Sequence, residues 1–317
     1  MELEVRHLRM LCAIADHGSL TRAAAALGML QPALTRQLQR LEHGLGGPLF
    51  TRSGNGSVPT PLGEYVLSRA RAVLPALDGI NSDALREAAG ADIPSRIRFG
   101  AVLGPLAAGL LPPLRRLLPA AEIRLLTEPS NAVLTDLVAG GRLELAAILE
   151  FPGYELPMKP DMRRHVIATE PVFVLLPDDH PAVGWPEVCL AELAREDWVL
   201  EPPDDNRFRE YVTMACRDAG FMPRVCYEAE AGSLTDLISS GQAIGLGQAT
   251  FRVTPRIVVK PLAGNPLWAS HALVWQKYGP IAGLAPKLIS AAEEVYEAAV
   301  DRSPTFLEWR DRRAQQS

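Results

Sequence analysis

The sequence predicts an α/β protein: an N-terminal winged helix-turn-helix and a linker helix, followed by a two-lobed α/β domain. Three observations predict it. An alanine-rich helical segment breaks at Gly28 and restarts at Gln31-Pro32. From about Arg96, short apolar strand segments alternate with helical ones, the pattern of an α/β domain with a mostly parallel sheet. Finally, Leu134-Thr135-Asp136-Leu137 returns as Leu234-Thr235-Asp236-Leu237, each copy set after a strand, a serine (Ser130, Ser233) and before a glycine. Two similar lobes with a cleft between them account for that echo.

The N-terminal elements follow in order. A first helix runs from about Val5 to His17 with Leu8, Leu11, Cys12 and Ala15 on one face, and Gly18 ends it. Ser19 is placed to N-cap a second helix whose buried side is Leu20, Ala23, Ala24 and Leu27. In the third helix Leu34, Leu38, Leu41 and Leu45 recur at helical spacing, which turns Pro32, Thr35, Arg36, Gln39 and His43 toward a groove of DNA. Residues 49–53 and 57–60 flank Gly54-Asn55-Gly56, and Asn-Gly is a strong hairpin signal, hence the wing. Thr60-Pro61 opens the linker helix. Its apolar positions Leu62, Val66, Ala70, Val73, Leu77 and Ile80 step by fours and threes, so a partner helix is expected, with a kink at Pro75.

In the second part the expected strands are Ile97–Val102, Ile123–Leu126 and Leu145–Leu149, with helices up to Leu118 and over Val133–Gly140. A second series begins near Val166, with strands at Val172–Leu176, Trp198–Leu200 and Val225–Glu228.

Composition narrows the class. Apolar residues make up 48% and charged residues 22%, as in soluble globular chains. The net charge is −5, yet residues 1–62 hold six arginines against four acids, which suits a local DNA contact on an acidic body. Cys12, Cys189, Cys216 and Cys226 show no metal-ligand spacing, so reduced thiols in the cytoplasm are expected, without metal or cofactor. Charged residues at the start exclude a secretory signal there, and no apolar run is long enough for a membrane span. No nucleophile elbow, metalloprotease motif or phosphate loop points to an enzyme. Alternatives are a redox sensor using Cys216 or Cys226, and an enzyme or binding protein built on the lobes.

Residues 1 to about 65 resemble the DNA-binding domain of LysR-type transcriptional regulators. Arg6-His7-Leu8, residues 18–24, Gln31-Pro32-Ala33-Leu34-Thr35-Arg36-Gln37-Leu38, Leu41-Glu42, Leu45-Gly46, Pro48-Leu49-Phe50, Thr60-Pro61 and Gly63-Glu64 carry the resemblance. Asp178-Asp179-His180-Pro181, Ala219-Gly220-Phe221 and Leu273-Val274-Trp275 extend it loosely. It implies an effector-binding domain similar to periplasmic binding proteins, with the second lobe inserted into the first near Lys159–Arg163 and Asn265–Trp268. The division is then residues 1–60 for DNA binding, 61–91 for the linker, 92–162 with 267–300 for lobe I, 163–266 for lobe II, and a tail, 301–317. It also implies a homodimer or homotetramer acting with RNA polymerase on double-stranded promoter DNA.

Base reading is expected from Gln31, Pro32, Thr35 and Arg36 at the exposed end of the third helix, and phosphate contact from Ser19, Thr21, Gln37, Arg40 and Arg52. Leu30 stands where the family usually has serine or threonine, which loses a cap worth about 1 kcal/mol. The wing tip also lacks basic residues. The small-molecule effector is expected between the lobes, near Leu103, Gly104, Ser130, Asn131, Phe151, Asp204, Asn206, Gly232, Ser233 and Gln248. Helix N-termini favour anions, which makes a carboxylate the first guess. The family the chain resembles often has serine or threonine hydroxyls after that first strand, and Val102-Leu103-Gly104-Pro105 offers none, which points to a more apolar or larger ligand.

Overall fold

The computed structural model describes residues 3–53, 56–88, 95–203, 205–252 and 254–315, in two compact units, Met1–Ala91 and Asp92–Ser317. Unit one contains α1 (Val5–His17), α2 (Leu20–Ala26), α3 (Gln31–Leu45), β1 (Phe50–Ser53), β2 (Gly56–Pro59) and α4 (Pro61–Ala88). The leucines expected inside α3 are there: Leu34, Leu38 and Leu41 are buried and Leu45 half-buried. On α1 the buried side is His7, Met10, Leu11 and Ile14, while Leu8, Cys12 and Ala15 are only half-buried. The expected face is rotated because α1 packs against both α2 and α4. The imidazole of His7 tolerates burial because its Nδ1 accepts the Glu4 N–H at 3.1 Å.

Ser19 occupies the N-cap position of α2, but its side chain makes no capping bond. Thr60 does cap α4: its Oγ1 accepts the Gly63 N–H at 3.0 Å and donates to the Pro48 carbonyl at 2.6 Å. The hairpin forms with Ser53 opposite Gly56, and the turn residues Gly54 and Asn55 lie outside the described residues. α4 is assigned as one helix through position 75, without a break at the proline. Part of its apolar surface is covered within the unit. Val66, Leu67, Ala70 and Leu74 are buried, and Arg71 pairs with Asp16 of α1 at 2.6 Å. Val73, expected on the stripe that faces a partner helix, is 47% exposed in the single chain. The side chain of Ile80 lies outside the described residues.

Unit two begins with β3 (Arg96–Ala101), α5 (Pro105–Gly109), α6 (Leu111–Leu117), β4 (Glu122–Thr127), α7 (Asn131–Ala139) and β5 (Leu145–Glu150). The single helix expected up to Leu118 is two, since Pro112 and Pro113 have no N–H with which to continue α5. Next come β6 (Met162–Pro177), β7 (Asp197–Leu200), α8 (Phe208–Asp218), β8 (Arg224–Glu228), α9 (Ala231–Ser239), β9 (Gly245–Gln248), β10 (Ile257–Lys260), β11 (Trp268–Gln276), α10 (Ala285–Val300) and α11 (Pro304–Ala314). Among the described residues no helix is long and apolar enough to cross a membrane.

The sheet is mixed rather than mostly parallel. Pairing is parallel for β3 with β4 and β5 and for β7 with β8, and antiparallel wherever β6 or β11 takes part. The 16-residue β6 explains this. It pairs with β11 up to Pro171, then from Val172 with β9 and from Val174 with β10, so one strand serves both lobes. The handover falls at Pro171–Val172, while residues 159–163, where the crossing was expected, lie just before and at the start of that strand. Each lobe has its own core, one around Phe99, Leu114 and Leu288, the other around Trp198, Val174 and Val212.

The repeated tetrapeptide occupies matching helices, and their ends share three backbone bonds. The N–H groups of Gly140 and Ser240 reach the Asp136 and Asp236 carbonyls (2.9 and 3.0 Å). Those of Gly141 and Gly241 reach Val138 and Ile238 (3.0 Å each), and those of Arg142 and Gln242 reach Leu137 and Leu237 (2.8 and 3.0 Å). Gly141 and Gly241 hold φ of +65° and +72°, which a side chain would disfavour. The tail is ordered as α11: Phe306 is buried, Trp309 packs on Phe173 and Trp268, and Trp309 Nε1 donates to Asn265 at 2.9 Å.

Candidate functional site

Two regions collect the expected site residues, one in each unit. In unit one, burial of Leu34, Leu38 and Leu41 fixes the roll of α3 and leaves Gln31, Pro32, Arg36, Gln39, Arg40 and His43 exposed. Thr35 and Gln37 are half-buried at the margin. Thr35 Oγ1 donates to the Gln31 carbonyl at 3.0 Å and accepts from Gln31 Nε2 at 3.4 Å, so the two side chains present one linked polar edge. Arg40 Nε reaches back to the Arg36 carbonyl at 3.4 Å. Leu30 at the N-cap makes no side-chain cap and is 78% exposed, as its identity requires. Thr21 is exposed and Ser19 half-buried on the neighbouring helix. Arg52 lies on β1, with its side chain outside the described residues. Glu42, part of the sequence motif, serves the fold: its carboxylate accepts the Leu49 and Phe50 N–H groups at 2.8 and 3.3 Å. This arrangement can offer donors and acceptors to base edges from the first turns of a helix.

In unit two a cavity of about 100 Å³ opens between the lobes. Of the expected residues, Phe151, Asn206 and Gln248 line it, together with Leu149, Glu201, Phe208 and Leu234. Phe151 stacks on Phe208 with ring centroids 4.7 Å apart. Gln248 Nε2 donates to the Leu103 carbonyl at 3.3 Å, and a side-chain carbon added at Gly104 would meet Gln248 Oε1 at 3.2 Å. Leu103, Gly104 and Gln248 thus form one edge of the cleft.

Ser130 caps α7, its Oγ accepting the Val133 N–H at 3.0 Å. Asn131 turns out to be a backbone clamp: 1% exposed, its amide donates to the Leu149 carbonyl at 2.6 Å and accepts the Leu149 N–H at 3.4 Å. Ser233 does not cap α9. Glu230 holds that position, and Ser233 and Gly232 sit exposed in the first turn. Asp204 lies outside the described residues.

The residue missed from the sequence is Asp205. Its Oδ2 accepts the Ser130 hydroxyl at 2.9 Å and the Ala132 N–H at 2.5 Å, so a lobe II carboxylate occupies the N-terminus of the lobe I helix α7. Its Oδ1 is buried without a hydrogen-bond partner. The run 204–206 signalled polar loop chemistry, but nothing local could say which carboxylate crosses the cleft.

The thiols do not favour redox sensing. Burial pushes the Cys216 thiol up to about 12. Cys226 donates to Asp197 at 3.0 Å, and that hydrogen bond raises its pKa as well, so neither thiol has the lowered value of a reactive cysteine. Among the described residues no His, Cys, Asp and Glu cluster could hold a metal.

Comparison with known proteins gives these regions a context. Residues 5–64 match the family described as "Bacterial regulatory helix-turn-helix protein, lysR family", and residues 93–296 match "LysR substrate binding domain". The chain is 40% identical over 310 residues to a small neutral protease regulatory protein of Streptomyces coelicolor, covering 98% of this chain and 92% of that one. It is 28% identical to the transcriptional regulator ShiR of Corynebacterium glutamicum, over 87% of this chain and 93% of the relative. The structure of full-length CbnR with its target DNA superposes with a TM-score of 0.63 at 20% identity, over 94% of this chain and 100% of that one. Full-length OxyR of Pseudomonas aeruginosa gives 0.60 at 23%, over 92% and 95%. At such identities the structural likenesses establish the fold, while the sequence matches establish the family. With a helix-turn-helix whose third helix is free and a substrate-binding domain whose lobes enclose a cavity, the chain belongs to the LysR family of bacterial transcriptional regulators.

Proposed function

We propose that α3 reads promoter DNA through Gln31, Pro32, Thr35 and Arg36, and that a small molecule in the interlobe cavity sets the transcriptional output. The observation carrying the first part is the linked Gln31–Thr35 edge beside an exposed Arg36, with every core leucine of the helix turned away. Ser19, Thr21, Gln37, Arg40 and Arg52 supply the phosphate contacts that fix register. The exposed Tyr65 and Val73 of α4 offer the apolar surface for a partner linker helix in a homodimer, and pairs of dimers would give the tetramer. The protein acts in the cytoplasm, where promoter and RNA polymerase are found. Relatives named as small neutral protease regulators make the promoter of such a protease gene the first to test.

The experiment is footprinting on that promoter, or on duplexes selected from random sequence. Arg36→Ala should weaken protection about tenfold or more, the worth of one good base or phosphate contact, with unchanged thermal melting. Full protection by that variant would move the reading face elsewhere.

A further inference from the structure

We propose that α11 is a strap across the back of the two interlobe crossings, and that its grip through Trp309 sets how readily the lobes part. The regulatory consequence rests on the cavity being the effector site. α11 lies beyond residues 93–296, the segment matched to the substrate-binding family.

The two crossings lie side by side. β6 leaves lobe I at Pro171–Val172, and the chain returns through Asn265–Trp268 into β11. Trp268 is the register partner of Pro171, and the Val172 N–H donates to the Leu267 carbonyl at 2.9 Å. Successive residues of a strand face opposite ways, and here the two faces have different neighbours. Val172 and Ala269 line the cavity. Their chain neighbours Phe173 and Trp268 meet Trp309 on the other face, with ring centroids 6.2 and 6.1 Å away. α11 therefore backs the floor of the cavity.

The strap is rooted in one lobe and grips the other. Phe306 is buried in the lobe I core with Phe99 and Leu288, and Arg310 pairs with Glu297 of α10 at 2.9 Å. On the lobe II side, Trp309 Nε1 donates to Asn265 Oδ1 at 2.9 Å. The Asn265 N–H donates in turn to the carbonyl of Leu262, a residue of the lobe II core, at 3.1 Å. Trp268 is held from both directions. Its N–H donates to the Tyr211 hydroxyl of α8 at 3.0 Å, and the Arg313 guanidinium lies over its ring at 5.6 Å and over the Trp309 ring at 5.2 Å. Glu170 and Tyr296 of α10, 3.3 Å apart, tie the outgoing crossing to lobe I, so what α11 adds is the hold on the returning one. Parting the lobes turns the strands at the crossings, which slides Phe173 and Trp268 beneath Trp309 and draws Asn265 away from it.

One amide reports that opening directly. The Ala132 N–H has its acceptor, Asp205, in the other lobe, whereas the Leu134 N–H bonds to the Ser130 carbonyl within its own helix at 3.0 Å. Residue-resolved hydrogen exchange on the full-length chain thus separates parting of the lobes from general loosening. Trp309→Ala should speed exchange at Ala132 at least tenfold and at Leu134 less than threefold. Trp309→Phe keeps a ring on Phe173 and Trp268 but has no N–H for Asn265. It is the second variant if the alanine form does not fold, and should speed Ala132 at least threefold. An unchanged rate at Ala132 overturns the proposal, as does an equal rise at Ala132 and Leu134, which marks plain destabilisation. Faster exchange at Ala132 alone, with promoter footprints identical to those of wild type, would instead refute the reading that the cleft sets the output and leave the strap standing.

Discussion

Replacing His271 with leucine should destabilise unit two severely, and the structure sets the size of the effect. Glu170 is fully buried where β6 passes from one lobe to the other. Its carboxyl group meets His271 Nε2 of β11 at 2.6 Å, the Thr250 N–H and hydroxyl at 3.0 and 3.1 Å, and the Tyr296 hydroxyl of α10 at 3.3 Å. One carboxyl thus ties the segment after β9 to the strand and helix of lobe I. His271→Leu removes the shortest of these bonds and leaves a buried acid short of a partner, a change that costs about 3–5 kcal/mol in comparable sites. For a unit of this size each kcal/mol lowers the melting temperature by roughly 2–4 °C, so the loss should be about 6–20 °C. Thermal unfolding followed by circular dichroism measures it. The double variant Glu170→Gln/His271→Leu keeps a neutral acceptor for Thr250 and should recover about 2 kcal/mol of the deficit. If His271→Leu melts within about 2 °C of wild type, or the double variant melts no higher than the single, the buried carboxyl is not the tie described.

Two further outcomes test other parts of the molecule. A side-chain carbon at Gly63 would lie 2.0 Å from the Leu49 carbonyl oxygen, so Gly63→Ala should destabilise unit one by about 1–3 kcal/mol despite the ~1 kcal/mol helix-propensity gain; urea unfolding reporting equal or greater stability would contradict the close contact. Glu150 is 2% exposed, and burial holds its carboxyl above the usual range against the pull of Arg164 at 3.0 Å. The folded form therefore keeps this proton to higher pH than the unfolded form does. Its stabilising share is complete below the ordinary carboxylate range and is lost as pH rises through the raised value. Glu150→Gln should flatten the decline in stability as pH rises above the ordinary carboxylate range, read by urea titration at each pH, and an unchanged slope would assign the decline to other groups.

How much of this was legible beforehand depended on the range of the interaction involved. Local signals sufficed for the limits of α1 at Val5 and His17, the Thr60 cap, the hairpin and the twin turns after α7 and α9, because each rests on residues within one or two turns of chain. The leucine spacing of α3 likewise settled which side of that helix is free, so the candidate DNA-reading residues followed from sequence alone. Periodicity states that a face is buried without stating against what. The apolar positions of α4 were therefore all given to a partner helix, whereas Val66 and Ala70 pack within their own unit and Val73 stays exposed. The same limit hid the antiparallel role of β11, and β6 running through both lobes. It also hid the carboxylate of Asp205, which reaches Ser130 across 75 positions of sequence. By itself the sequence determined the helices and hairpin of the N-terminal unit, the repeat behind the two lobes and which face of α3 is free, since these are written in neighbouring residues. Only the tertiary structure decided which carboxylate stands at the start of α7, because a contact made across the two lobes leaves no local pattern.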